Sequence, residues 1–184
     1  MKKTTSGFTI VELLIVIVVI GVLAAIVIVA YNGIQQRANN TAIISAANQS
    51  VKVIQAYHAA KDDYPYTGSG NACITIVSGC VRDTGVVDNS NATFNNNIAS
   101  IGTQPTSVPV VGTVANGIMY NYTPTRTFNG QAQPAMIFYW LNGLSQQCGL
   151  SNVMNTWDTA VTATNGYTAG SSGGKTLCYI SIPG

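Results

Sequence analysis

Glu12 is the side chain with the most chemistry to explain. It stands directly before Leu13 to Tyr31, a run with no charged and no strongly polar residue. A carboxylate at the mouth of such a run costs roughly 2–3 kcal/mol in a bilayer unless it is paired or reaches the interface. The positive end of a helix makes it tolerable without explaining why it is there. A cation at the same depth would explain it. Cleavage after Gly7 would create one, because the new α-amine of Phe8 would lie four residues before Glu12. Within one helix that pair is an internal contact. Between two staggered helices it becomes an assembly contact.

The rest of the chain offers little for catalysis. It has one His, His58, and six acids, with no spacing that supports a nucleophile–base–acid triad. Asp62 and Asp63 are too few for calcium, which takes six to eight oxygen ligands; they read as solvated turn residues. Four cysteines without a close CxxC pair do not suggest zinc. Residues 169–176 fit a relaxed phosphate-loop pattern, with Ala169 in place of the first Gly. That chemistry needs a helix after the loop, whereas a strand pattern follows, so the segment reads as a Gly/Ser loop. Asn-x-Ser/Thr sequons at Asn39, Asn48, Asn91 and Asn121 arise readily in an Asn/Thr-rich chain and leave glycosylation open. No catalytic residue, metal or cofactor is expected. A net charge of +2 gives no basic field for nucleic acid.

The elements that position Glu12 follow from composition. Only 8% of the 184 residues are charged, against roughly 25% in ordinary soluble proteins. That fits one membrane-length segment and one modest domain. Leu13 to Tyr31 spans about 28 Å as a helix, close to the hydrocarbon thickness of a bilayer. Lys2 and Lys3 precede it and only Arg37 lies near its other flank, which places the N-terminus in the cytoplasm and the remainder outside. A secretory signal would have a shorter apolar core and a cleavage site beyond it.

After Tyr31 the pattern is amphipathic. Ile44, Ala47, Val51 and Ile54 form one stripe, with Ile43, Ala46, Val53, Tyr57 and Ala60 beside it. Asn39, Asn40, Asn48, Gln49, Lys52 and Gln55 fill the rest. The spacing predicts one helix from about Phe8 to Lys61, with possible weak points at Gly21 and Asn32-Gly33, ended by Asp62-Asp63-Tyr64-Pro65. The wide stripe suggests two burial partners, the chain's own sheet and neighbouring helices; an ordinary helix on one sheet is the alternative. Residues 64–116 read as a connecting loop with short ordered pieces. Ile118 to Thr123, the wholly apolar Ala135 to Leu141, and Leu177 to Ile182 read as strands of an antiparallel meander, with a turn at Asn129-Gly130. A long loop, 143–174, precedes the last strand. The fold class is α+β: a long N-terminal helix, membrane-spanning in its first half, packed against a C-terminal antiparallel sheet over 117–184.

Gly7-Phe8-Thr9-Ile10-Val11-Glu12-Leu13-Leu14, with a short Lys-bearing leader before it and an apolar run after it, resembles the prepilin leader and N-terminal helix of the type IV pilins. The close match covers roughly residues 1–37. The resemblance implies a leader, 1–7, removed by a prepilin peptidase that cuts after Gly7 and N-methylates Phe8. It implies a transmembrane and filament-core helix, 8–31, and an amphipathic half, 32–63, leading to the head at 64–184. Glu12 would then neutralise the amine of a neighbouring subunit. Val29 stands where many of these proteins have Pro, the residue that removes a helix hydrogen bond and kinks the helix.

Three cysteine pairings are open. The separation of Cys73 and Cys80 fits a small hairpin staple, and Cys148 with Cys178 would close the C-terminal disulfide loop that many type IV pilins have. The implied function is a structural subunit of an extracellular filament, serving adhesion, twitching motility or DNA uptake. Its partners would be copies of itself, the peptidase, the cytoplasmic membrane and the assembly machinery. A pseudopilin or minor pilin of a secretion or competence system is the nearest alternative. A membrane-anchored enzyme or a binding module using loop 143–174 is more distant.

Overall fold

The structure is a computed structural model that describes residues 7, 9–74, 79–105, 107–163, 166 and 173–183. The chain forms two compact units, 1–38 and 39–184. One helix, α1 (Ile10–Lys61), contributes to both. It carries a helical assignment through Gly21, Asn32 and Gly33 without interruption. It begins at Ile10, two residues after the expected start; Phe8 lies outside the described residues.

In the first unit α1 has no apolar partner among the described residues. Every described large apolar side chain from Ile10 to Ile34 is at least 50% exposed. Covering one such side chain is worth about 1.5–3 kcal/mol, so this surface calls for lipid or other helices.

The second unit has the elements β1 (Asn71–Cys73), β2 (Cys80–Val81), β3 (Val87–Asp88), α2 (Ala92–Ala99), β4 (Ile118–Tyr122), β5 (Thr127–Phe128), β6 (Gln131–Ala132), β7 (Ala135–Asn142), β8 (Val153–Met154), β9 (Thr159–Ala160) and β10 (Lys175–Ser181). The main sheet has the order β1-β4-β7-β10-β8, antiparallel throughout. The expected meander is its centre. Central strand β7 is buried at every position, and its two-residue period divides two cores. Ala135, Ile137, Tyr139 and Leu141 join the helix-side cluster with Ile43, Ala47, Ile54 and Tyr57. Met136, Phe138 and Trp140 join the opposite cluster with Phe128, Met154 and Ala160. A small sheet, β6-β5-β9, supplies part of that second cover.

The buried row of α1 is Ile43, Ala47, Ser50, Ile54 and Tyr57. It runs between the two stripes read from sequence, taking members of each, while Ile44, Ala46, Val51 and Val53 are half-buried. Ser50 is tolerated in the row because its hydroxyl donates to the Ala46 carbonyl at 2.9 Å. Asn40, expected among the polar filler, is buried. Its side-chain amide donates to the Asn142 carbonyl at 2.9 Å, and its oxygen accepts from the Asn142 N–H at 2.8 Å.

The connecting segment is more ordered than its composition suggests. Strand β1 forms one sheet edge. Helix α2 is capped by Asn91, which accepts from the Phe94 N–H at 2.9 Å, and it buries Phe94 and Ile98. The Asn129-Gly130 turn has positive φ at both residues, 52° and 77°, as a tight hairpin turn requires. It joins β5 to β6, a hairpin inserted between β4 and β7.

Candidate functional site

At the start of α1, Leu13 N–H donates to the Thr9 carbonyl at 3.3 Å, which makes Thr9 the N-cap and Glu12 the third helical residue. The two side chains cap each other. Thr9 N–H donates to Glu12 Oε2 at 2.9 Å, the Thr9 hydroxyl donates to the same oxygen at 2.8 Å, and Glu12 N–H donates to Thr9 Oγ1 at 3.2 Å. This is the reciprocal capping box. It satisfies backbone donors that a helix start leaves open and holds the carboxylate beside the positive helix end. Glu12 is therefore aimed back toward residue 9. Gly7 is exposed, and a Cβ built on it meets nothing within 4 Å. Phe8, expected to carry the amine, lies outside the described residues.

The head holds its own polar organisers. Cys73 is bonded to Cys80 and Cys148 to Cys178, all four fully buried. Arg126 is fully buried. Its guanidinium donates to the Trp157 carbonyl at 2.9 Å, the Pro134 carbonyl at 2.6 Å, Asn121 Oδ1 at 2.6 Å and Thr123 Oγ1 at 2.9 Å. It binds the end of β4, the β5–β6 hairpin and the 155–158 loop to one point. Lys175 opens β10 with a buried ammonium. It donates to the carbonyls of Val111, Val114 and Ala115 at 2.5, 2.9 and 2.8 Å and to Asn116 Oδ1 at 2.8 Å.

The phosphate-loop resemblance falls partly outside the described residues, at 169–172. Its described end is committed to the fold: Lys175 as above, and Thr176 through a 2.7 Å hydroxyl bond to the Gly143 carbonyl. His58 stacks on Tyr64 at 4.4 Å. Asp63 Oδ1 accepts from the Tyr64 N–H at 2.7 Å, which is local turn chemistry. Of the sequon residues, Asn91 serves as a cap and Asn121 is buried with its amide on Gly70 and Asn71.

Glu12 and Gly7 thus belong to the first unit and the cysteines to the second. Sequence reasoning passed over Thr9, although Thr-x-x-Glu before an apolar run is a helix-start signature. It had no local signal for Arg126, a lone basic residue between Thr and Pro segments.

A family profile described as the prokaryotic N-terminal methylation motif matches residues 2–28. The chain is 36% identical over 74 residues to the type IV wide pilus major component PilA4 of Thermus thermophilus, covering 40% of this chain and 55% of that protein. It therefore spans little more than half the length of that relative. It is 27% identical over 123 residues to the fimbrial protein EcpC of Eikenella corrodens, covering 64% of this chain and 80% of that protein. Neither name denotes an enzyme. No solved structure matches the chain significantly.

Proposed function

We propose, for a chain that stands among the type IV pilins by its N-terminal motif and its relatives, that it is a structural subunit of an extracellular filament. It is made as a membrane-anchored precursor with its N-terminus in the cytoplasm. Cleavage after Gly7 releases leader 1–7, and Phe8 becomes the methylated first residue. Segment 8–31 then passes from lipid into the filament core, 32–63 leads from it, and 64–184 forms the head.

The observation that carries this reading is one coincidence. The methylation motif, at residues 2–28, lies over the part of α1 whose described apolar side chains are all exposed. A surface of that kind is covered by lipid or by other copies of itself, so a subunit can leave one for the other. The Thr9–Glu12 cap supports an assembly role for Glu12, since it holds the carboxylate toward the N-terminal end of the helix, the end that carries the amine in the cleaved subunit. Within the broader role, surface adhesion or motility follows from a filament, and DNA uptake has no basic field in its favour.

The test is to shear surface filaments, image them by electron microscopy and measure the intact mass of their subunit. A mass beginning at methylated Phe8 in filaments is expected. A surface protein that keeps residues 1–7 and forms no filaments defeats the proposal.

A further inference from the structure

Far along the chain from the N-terminal helix, the head carries a cleft of about 270 Å³ lined by Asn155, Thr156, Trp157 and Tyr179. The two half-buried rings meet edge to face, with centroids 5.5 Å apart and planes at 87°. Phe138 packs behind both, at 5.2 Å from Trp157 and 6.2 Å from Tyr179. The Arg126 guanidinium lies 5.4 Å from the centre of the Trp157 ring and holds the Trp157 carbonyl at 2.9 Å. The aromatic corner is therefore fixed before any ligand arrives, which removes much of the ordering cost of binding.

Two donors on the polar rim, from Asn155 and Thr156, are uncommitted among the described residues. Asn155 Oδ1 accepts from the Val161 N–H at 2.9 Å, which leaves the Asn155 amide donor without a partner among the described residues. The exposed Thr156 hydroxyl is in the same position among them. No charged side chain lines the cleft among the described residues. Behind Trp157 the charges oppose each other, since Arg126 interacts electrostatically with Asp158.

This lining selects by chemistry. A phosphate or carboxylate would find no cation among the described lining residues to pair with. A wholly apolar ligand would use neither the amide nor the hydroxyl. A pyranose ring satisfies both parts: its C–H face packs on the aromatic corner while its hydroxyl rim exchanges hydrogen bonds with Asn155 and Thr156. The volume is near the lower bound of roughly 300 Å³ for small-molecule sites, room for one ring. We propose that this cleft binds a single neutral pyranose ring. The site does not depend on the filament reading.

Saturation-transfer NMR on the full chain in a sugar-free detergent tests it. The probes are glucose, galactose, mannose and N-acetylglucosamine, each free and as its methyl glycoside. Transfer to ring C–H protons of at least one sugar is expected. Transfer to the methyl glycoside as well identifies a chain-terminal sugar as the ligand; transfer to the free sugar alone identifies a free monosaccharide. Thr156→Arg, at an exposed position, fills the cleft without touching the core and should weaken binding at least about tenfold. Thr156→Ser keeps the hydroxyl and should retain it. Circular dichroism and Tm confirm that both variants are folded. The absence of transfer from every sugar, or transfer that survives Thr156→Arg in folded protein, overturns the proposal.

Discussion

At Thr9 and Glu12 one carboxylate oxygen caps the helix start, and the proposed filament asks the same side chain to pair with an incoming amine. Two substitutions separate these duties. Glu12→Gln keeps a capping-box side chain and removes only the charge. The helix start and membrane insertion should be unaffected, since a neutral side chain enters the bilayer more easily. Filament yield should fall, because a buried amine left unpaired costs about 3–5 kcal/mol per contact. Thr9→Val keeps the charge and removes the hydroxyl. It should cost the helix about 1 kcal/mol and reduce yield less than Glu12→Gln. Sheared filament yield against membrane-bound subunit decides both, and normal yield from Glu12→Gln refutes the assembly role. At the other organising residue of α1, Asn40→Leu removes the two buried hydrogen bonds it exchanges with the Asn142 backbone. A loss of about 1–3 kcal/mol is expected, readable as a lowered Tm of the detergent-solubilised chain.

Among the elements, the loop closed by Cys148–Cys178 spans a separation of 30 residues and that closed by Cys73–Cys80 a separation of 7. In the chain-entropy model these contribute about 3–4 and about 2.5 kcal/mol. Replacing the Cys148/Cys178 pair by Ser should therefore lower Tm more than replacing Cys73/Cys80. The reverse order in thermal unfolding would show that local packing outweighs loop closure. What the sequence made legible at this scale depends on whether the pattern is local. The apolar run of α1 and the all-apolar β7 carry their own periodicity, so both read directly. Helix α2 does not, because its eight residues offer only Phe94 and Ile98 as an apolar signal and its Asn residues favour turns. The edge strands β1 and β8, three and two residues long, are defined by their neighbours. Asn40 and Arg126 act through groups brought to them by the fold. No local pattern reports such a partnership, whereas Thr9 is legible from its Thr-x-x-Glu spacing.

At the scale of the head unit, ionisation sets the pH range of stability. Tyr120 and Tyr139 are fully buried, and burial holds both phenols far above their ordinary range. The folded state keeps protons that the unfolded chain loses near pH 10, so stability falls as pH rises past that point. Lys175 acts in the opposite sense. Burial lowers its amine from 10.5 to about 8, so between these values the unfolded chain binds more protons and stability rises with pH. Tm should hold or rise slightly up to about pH 10 and fall above it, with the phenolate absorbance of the buried Tyr120 and Tyr139 appearing only alongside unfolding. A Tm that declines steadily from pH 8 would show that Lys175 has no such influence.

The four oxygens gathered around Lys175 Nζ are of the kind that a loop presents to a dissolved hard cation. Here the cation is covalently part of strand β10. A tie of this kind draws on no mineral supply and offers a chelator nothing to remove. The vulnerability moves to amine chemistry instead. Acetylation of that one lysine would remove the charge the carbonyls converge on, and the loop would lose what EDTA cannot take from it.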